Sequence, residues 1–416
     1  MMVNEDGWLH ATLVGEGRWE ELLGLYRQAR ARGHAQGGER AAVRESARLG
    51  HELALAAPAP VAAGLFDPVA GPATAAGERD GWTGPLWEVL ATRHPWQVLD
   101  PLLRAEPVRT LAAHTRVLLG EDLAQGREEP APAAAGEAAI PLPRPLDPPG
   151  AAGRPNASSQ PGRPGRSGSP GPSGGRGAAA ALEPPLVLRP WEQAGWEPEQ
   201  RVTGYRPGGS AASALFALPD NREGLGPVRL PAPGAPQRPA TAADPADPGP
   251  PPTGVGPSGV PSSGPLPAEA SAAEQPATAA LRALSGWLSA RCLRGSAPQA
   301  AALLVPPELR DPAAGPTIGG YLSFAAAYPA LVRAGSGAGA YGRSAGAALG
   351  RLAAWRALAA MADPSGRCTV AEVDALVARM RCFTWCEPSD EVWHLHLALE
   401  DPATGLAWAV SGADYD

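Results

Sequence analysis

Ser344 lies inside three overlapping patterns, each of which belongs to a known chemistry. Gly342-Arg343-Ser344-Ala345-Gly346 spells the G-x-S-x-G elbow of a serine hydrolase, and Asp and His residues follow it in the order such a triad requires. Gly337 to Ser344 spells a phosphate-binding loop with Arg343 where lysine belongs. Gly337, Gly339 and Gly342 spell the dinucleotide fingerprint G-x-G-x-x-G. All three motifs require an apolar strand just before the glycines, and residues 334–340 are Ala, Gly and Ser. The planar guanidinium of Arg343 does not replace a compact ammonium between phosphate oxygens, and the chain beyond Ser344 is too short to complete a hydrolase sheet. One segment cannot serve all three chemistries, and a glycine-dense run matches glycine-spaced patterns by composition alone. The run therefore reads as a turn feeding a closely packed helix. Ser344 remains a catalytic candidate and Gly337, Gly339, Gly342 and Arg343 remain anion-binding candidates, with no site assigned.

A second constellation lies near the C-terminus. Cys382 and Cys386 fall on one alternating apolar stretch, His394 and His396 on the next. Pairing Phe383 with Leu395 and Trp385 with Trp393 would set Cys382 opposite His396 on the face away from the core, where two imidazoles and two thiolates could hold zinc. The spacing is not that of a zinc finger, so these four are candidates for a structural zinc site and no metal is assigned.

The elements that would carry these residues follow from periodicity. Leu349, Leu352, Trp355, Leu358 and Ala362 form one apolar stripe with Arg351 and Arg356 outside it, which predicts a helix from Leu349 to Met361 stopped by Asp363-Pro364-Ser365-Gly366. Trp19, Leu22, Leu23, Tyr26 and Ala29 predict a helix that pairs as a hairpin with a second one over 39–57. Short helices started by proline follow at 86–92, 96–103 and 108–119, resembling stacked HEAT-type or tetratricopeptide-type helices without a repeat period. Further helices are expected at 278–293, 321–333 and 370–380. Strict alternation around Phe383 and Trp385, Trp393 to Leu399, and Leu406 to Val410 predicts a three-stranded antiparallel meander over 381–414. The expected fold class is thus mainly α with a small C-terminal meander, an α+β chain. Its expected divisions are a helical domain at 1–124, a disordered Pro/Gly-rich linker at 125–180, a short irregular or β segment at 181–230 docked on a neighbouring domain, a second disordered linker at 231–276, and an α+β domain at 277–416.

Composition excludes several functions. All 35 cationic side chains are arginine, so Schiff-base and pyridoxal-phosphate chemistry, a standard phosphate loop and a lysine base have no side chain to work with. The net charge of −7 without a basic cluster argues against a nucleic-acid partner, and no run is apolar enough to predict a membrane span. Four cysteines and no secretory leader predict a reducing, cytoplasmic setting. The 50 prolines and 51 glycines imply that much of the chain builds no core.

The helix start Gly350-Arg351-Leu352-Ala353-Ala354-Trp355-Arg356, the Trp-bearing terminal strands, the Arg93-His94-Pro95-Trp96-Gln97-Val98-Leu99 segment and residues 191–207 resemble an uncharacterised actinobacterial family. That resemblance implies no activity and no catalytic residue. The resulting expectation is a non-catalytic protein-interaction or regulatory protein whose partner is a protein or peptide, with no cofactor; the alternative is an enzyme using the glycine run.

Overall fold

In the computed structural model the described residues are 5–35, 40–67, 84–124, 182–205, 211–212, 225–231, 275–306, 317–337, 344–387 and 394–414. The expectations of disorder at 125–180 and over most of 231–276 lie outside them.

Among the described residues seven α-helices precede the long proline-rich stretch: α1 (Glu5–Gly15), α2 (Trp19–Ala35), α3 (Arg40–Ala56), α4 (Ala59–Ala63), α5 (Leu86–Arg93), α6 (Trp96–Leu99) and α7 (Glu106–Leu118). The expected hairpin is α2 against α3, with Leu22, Tyr26, Ala29, Leu49 and Leu53 buried between them and their neighbours. Proline sits just before α5 and α6 and inside the first turn of α7, where a missing N–H has no helical partner to lose. The helix expected at 96–103 stops at Leu99, whose carbonyl accepts from both Leu102 and Leu103 in a turn.

Next come α8 (Pro190–Gln193), α9 (Pro198–Arg201), the two-residue strands β1 (Gly204–Tyr205) and β2 (Ala211–Ala212), and β3 (Gly226–Val228). The C-terminal part holds α10 (Gln275–Arg282), β4 (Ser289–Arg294), α11 (Ala297–Ala301), β5 (Thr317–Leu322), α12 (Phe324–Gly335), α13 (Ala347–Ala362), α14 (Val370–Arg379), β6 (Arg381–Cys386), β7 (His394–Asp401) and β8 (Leu406–Ala413). The chain is mainly helical with an antiparallel sheet near its C-terminus, as the sequence predicts, but the sheet has six strands in the order β3-β5-β6-β7-β8-β4.

Three expected elements are corrected. The helix at 278–293 ends at Arg282, and its second half is strand β4, in which Ala290 and Leu293 are buried while Arg291 and Arg294 are exposed. Tyr321 belongs to β5, and α12 starts after it, where the Ser323 hydroxyl accepts from the Ala326 N–H at 3.2 Å. The strand register differs as well: Cys382 pairs with Leu399 and Phe383 with Ala398. That is an odd slip from the expected pairing, which inverts the facing of one strand against the other. Trp393, half of one expected pair, lies outside the described residues.

Both faces of the sheet are covered. Cys382, Leu395, Leu397, Leu399, Trp408 and Val410 pack with helices α10, α12, α13 and α14. Phe383, Trp385, Ala398, Ala407 and Ala409 face the other way, under α11 and Val305. Thr369 starts α14 with a reciprocal cap, Glu372 N–H to its hydroxyl at 3.3 Å and its own N–H to the Glu372 carboxylate at 2.7 Å.

Helix α13 joins the two halves of the structure. Ala348 and Leu349 in its first turn belong to the core of the N-terminal helices, while Ala354, Trp355 and Leu358 belong to the core over the sheet. A helix shared between two cores is apolar nearly all round, and this one buries Arg351 completely. The expectation that Arg351 lies outside the buried stripe is therefore wrong. Its partner comes from a distant part of the chain.

Candidate functional site

The most concentrated polar cluster surrounds the carboxylate of Glu192 on α8. Glu192 is held at the start of α8 by the backbone of Arg189, whose N–H its Oε2 accepts at 2.9 Å. Oε1 accepts from the Tyr328 hydroxyl at 2.6 Å, the Arg351 Nε at 2.8 Å and the Trp355 indole N–H at 2.9 Å. Arg351 Nη2 donates to Oε2 at 2.9 Å and to the carbonyl of Pro185 at 3.0 Å. Both side chains of this ion pair are fully buried. Burial alone would push the Glu192 carboxyl up, but the charge and hydrogen bonds of Arg351, with the Tyr328 hydroxyl, outweigh it and hold it below the usual carboxylate range. The Tyr328 hydroxyl is driven well above its ordinary value by burial and then by the adjacent carboxylate.

Arg351 has one more partner. Its Nη1 donates to His114 Nδ1 at 2.7 Å, and because arginine can only donate, the imidazole proton resides on Nε2, 3.7 Å from Glu183 Oε1. Burial lowers the pKa of His114; Glu183 partly opposes this and the Arg351 charge reinforces it. His114 is therefore a neutral acceptor in the fold but takes a proton near pH 6.5 once unfolded. With its folded value depressed, the folded state loses stability as pH falls below about 6.5. The unfolding midpoint should drop between pH 7 and 5.5, by up to about 1.4 kcal/mol per pH unit from this group. Burial lowers His51 in the same direction. In a His114→Gln variant, whose amide oxygen still accepts from Arg351, thermal melts across that range should show a shallower fall.

A second buried carboxylate lies at the other end of this region. Glu88 on α5 accepts the Ala347 N–H at 2.6 Å, capping α13, and the Tyr205 hydroxyl at 2.8 Å. Burial raises its pKa, opposed by Tyr205, by the Ala347 N–H and by the charge of Arg333.

The glycine run ends in this same place. Gly337 (φ +70) closes the turn after α12, so a helix and not a strand precedes it. Residues 338–343, including Gly339, Gly342 and Arg343, lie outside the described residues. Ser344 is half-buried, and its Oγ accepts the Gly346 N–H at 3.1 Å. At Gly346 a φ of +105° and a position against Trp87 and Glu88 admit no side chain, since a Cβ would come within 2.3 Å of the indole. The run thus seats the start of α13 on the N-terminal helices.

The four zinc candidates are not brought together. Cys382 faces the core under the helices, where burial pushes its thiol far up and disfavours the thiolate a metal needs. His396 is on the opposite face, stacked on Trp385 at 5.3 Å and on His394 at 5.4 Å, with Nδ1 2.8 Å from the Ser411 hydroxyl. The register carries the correction: Cys382 lies across from Leu399, not His396. Among the described residues no group of three or more His, Cys, Asp or Glu is placed to hold a metal ion. A cavity of about 130 Å³ between α1, α2 and α3, lined by His10, Val14, Leu22, Arg48 and Glu52, is below the size of ordinary ligand pockets, about 300–1,000 Å³.

A family model described as a family of unknown function, DUF6183, matches residues 166–409. The chain belongs to DUF6183. The matched span takes in Glu192, Tyr328, Arg351 and Trp355, so the whole carboxylate cluster is internal to the DUF6183 unit, while His114 and Glu88 come from the helices before it. No curated protein and no solved structure matches the chain. No described helix is long and apolar enough to cross a membrane. Sequence reasoning missed the cluster. Its signal was there, in an arginine set among Ala and Leu one turn before Trp355, and in two tryptophans flanking Glu192 in a proline-rich segment.

Proposed function

We propose that this chain is a non-catalytic protein-interaction or regulatory protein with a protein or peptide as its partner and no cofactor. The observation that carries this reading is the state of Glu192, the carboxylate whose burial would best suit it to acid or base work. It accepts five hydrogen bonds, from Arg189, Tyr328, Trp355 and twice from Arg351, and so has no oxygen lone pair left for a substrate proton. Glu88 is similarly engaged with a helix start and a tyrosine. Four free thiols suit a cytoplasmic setting, and the lysine-free, arginine-rich composition suits a GC-rich genome such as an actinobacterial one. The short N-terminal helices supply a surface of the kind that peptides use.

The test sets this against an enzyme acting through the glycine run. Purified chain and its Ser344→Ala variant would be compared on a panel of activated esters, and ATP and GTP binding measured by equilibrium dialysis. Neither Ser344-dependent turnover nor saturable nucleotide binding is expected. Turnover that disappears with Ser344→Ala, or nucleotide binding that disappears with Arg343→Ala, would sink the reading.

A further inference from the structure

We infer that residues 182–205 are a tethered peptide ligand, and that α7, α12, α13 and α14 form its receptor, a cleft that accepts a peptide built around a tryptophan followed by a glutamate. This goes beyond the reading above and stands or falls separately from it, because the ligand is the chain's own segment.

The segment has almost no structure it could keep alone. Its helices α8 and α9 are four residues each, and isolated helices of that length do not form in water. Its order comes from its seat. The Trp191 ring sits among three aromatic rings of the receptor, with centroids 5.5 Å from Phe324, 5.1 Å from Tyr328 and 5.2 Å from Trp355. Its indole N–H donates to Asp374 on α14 at 2.9 Å, beside the Arg189 guanidinium, whose Nε donates to the same oxygen at 3.1 Å. Glu192 then enters the pocket ended by Arg351. Gly195 crosses the start of α12 so closely that a Cβ would lie 1.7 Å from the Ala325 carbonyl oxygen. Trp196 closes the seat, with its ring 6.2 Å from Tyr328.

The receptor side is built from elements with other supports. Arg351 is oriented by His114 as well as by the ligand, α12 packs along α13, and α14 carries its own cap. A buried aromatic anchor beside a desolvated charge pair is the usual make-up of an interface hot spot. The ion pair supplies selectivity for a carboxylate, because an uncharged residue at the Glu192 position would leave Arg351 buried without its charge partner. Farther along the chain, β3 adds to the sheet edge at β5, Val228 opposite Thr317, the way extended peptides join a sheet. Residues 125–181 and 232–274, rich in Pro, Gly and Ser, flank the whole unit in the sequence.

The experiment uses the full chain with specific protease sites inserted in 125–181 and 232–274. After cleavage, the complex is incubated with excess fluorescein-labelled peptide of residues 182–205, and binding is read by anisotropy and folding by circular dichroism. The cut chain is expected to stay helical and to bind the peptide saturably. A peptide carrying Trp191→Ala and Glu192→Ala should bind at least about 100-fold more weakly, and a Gly195→Ala peptide should also be weakened. The uncut chain should bind little labelled peptide, because its own segment competes at an effective concentration on the order of millimolar. Loss of helical signal on cleavage, absence of binding, equal binding of the doubly substituted peptide, or equal binding by the uncut chain would each overturn the inference.

Discussion

Replacing Arg351 by methionine should cost the fold about 3–5 kcal/mol, enough to leave the purified chain partly or wholly unfolded near room temperature. Methionine fills much of the same space, so the loss is not chiefly one of packing. It comes from Glu192, which would remain fully buried with its counter-charge gone and only the neutral donors of Tyr328, Trp355 and Arg189 to hold it. Charge burial of that kind is resolved by protonation or by expulsion. Protonation removes an acceptor that three donors need, and expulsion pulls Trp191 out of its aromatic seat. Adding Glu192→Gln to the methionine variant should restore part of the loss, since the amide oxygen still accepts from Tyr328 and Trp355 and no charge is buried. Urea unfolding of the wild type, the single variant and the double variant measures this. A single variant within about 1 kcal/mol of wild type would show that the pair contributes specificity and not stability.

The contrast between Arg351 and the rest of α13 shows where the sequence can and cannot be read. The helix itself is legible from the spacing of Leu349, Leu352, Trp355 and Leu358, as are α2, α3 and α14 from theirs, because local apolar periodicity reports which face is buried. The alternation around Phe383, Leu397 and Val410 likewise reveals β6, β7 and β8. Their register was not legible, because β7 buries both of its faces and its alternation does not say which one meets the helices. Apolar spacing that continues from α10 through Leu284 and Leu288 hides the start of β4, and the Gly319-Gly320 pair interrupts any alternation in β5. The burial of Arg351 depends on Glu192, 159 residues away, and no local pattern encodes a partner at that distance. What was legible at the site was only its unusual composition: a lone arginine in an apolar helix, and a Trp-Glu pair amid prolines.

Gly350→Ala should destabilise the chain by about 3 kcal/mol or more, at the upper end of what overpacking usually costs. Alanine is the better helix former by about 1 kcal/mol, so propensity alone predicts the opposite sign. The geometry decides it. A Cβ on Gly350 would sit 2.0 Å from the Val332 carbonyl oxygen and 2.9 Å from the Ser336 nitrogen, backbone atoms of α12 and of the residue that caps its C-terminus. Neither can rotate aside, and the Val332 oxygen already accepts the Ser336 N–H at 2.8 Å to end that helix. Helix α12 must therefore shift bodily from α13, and it carries Phe324 and Tyr328, so the Trp191 seat widens with it. Gly24 in the middle of α2 provides the control, because nothing lies within 4 Å of the Cβ it would gain. Gly24→Ala should stabilise by up to about 1 kcal/mol. Opposite shifts of the urea midpoint for the two variants would place the reason for glycine at 350 in contact between helix backbones, whereas a stabilised Gly350→Ala chain would mean that α12 and α13 do not approach this closely.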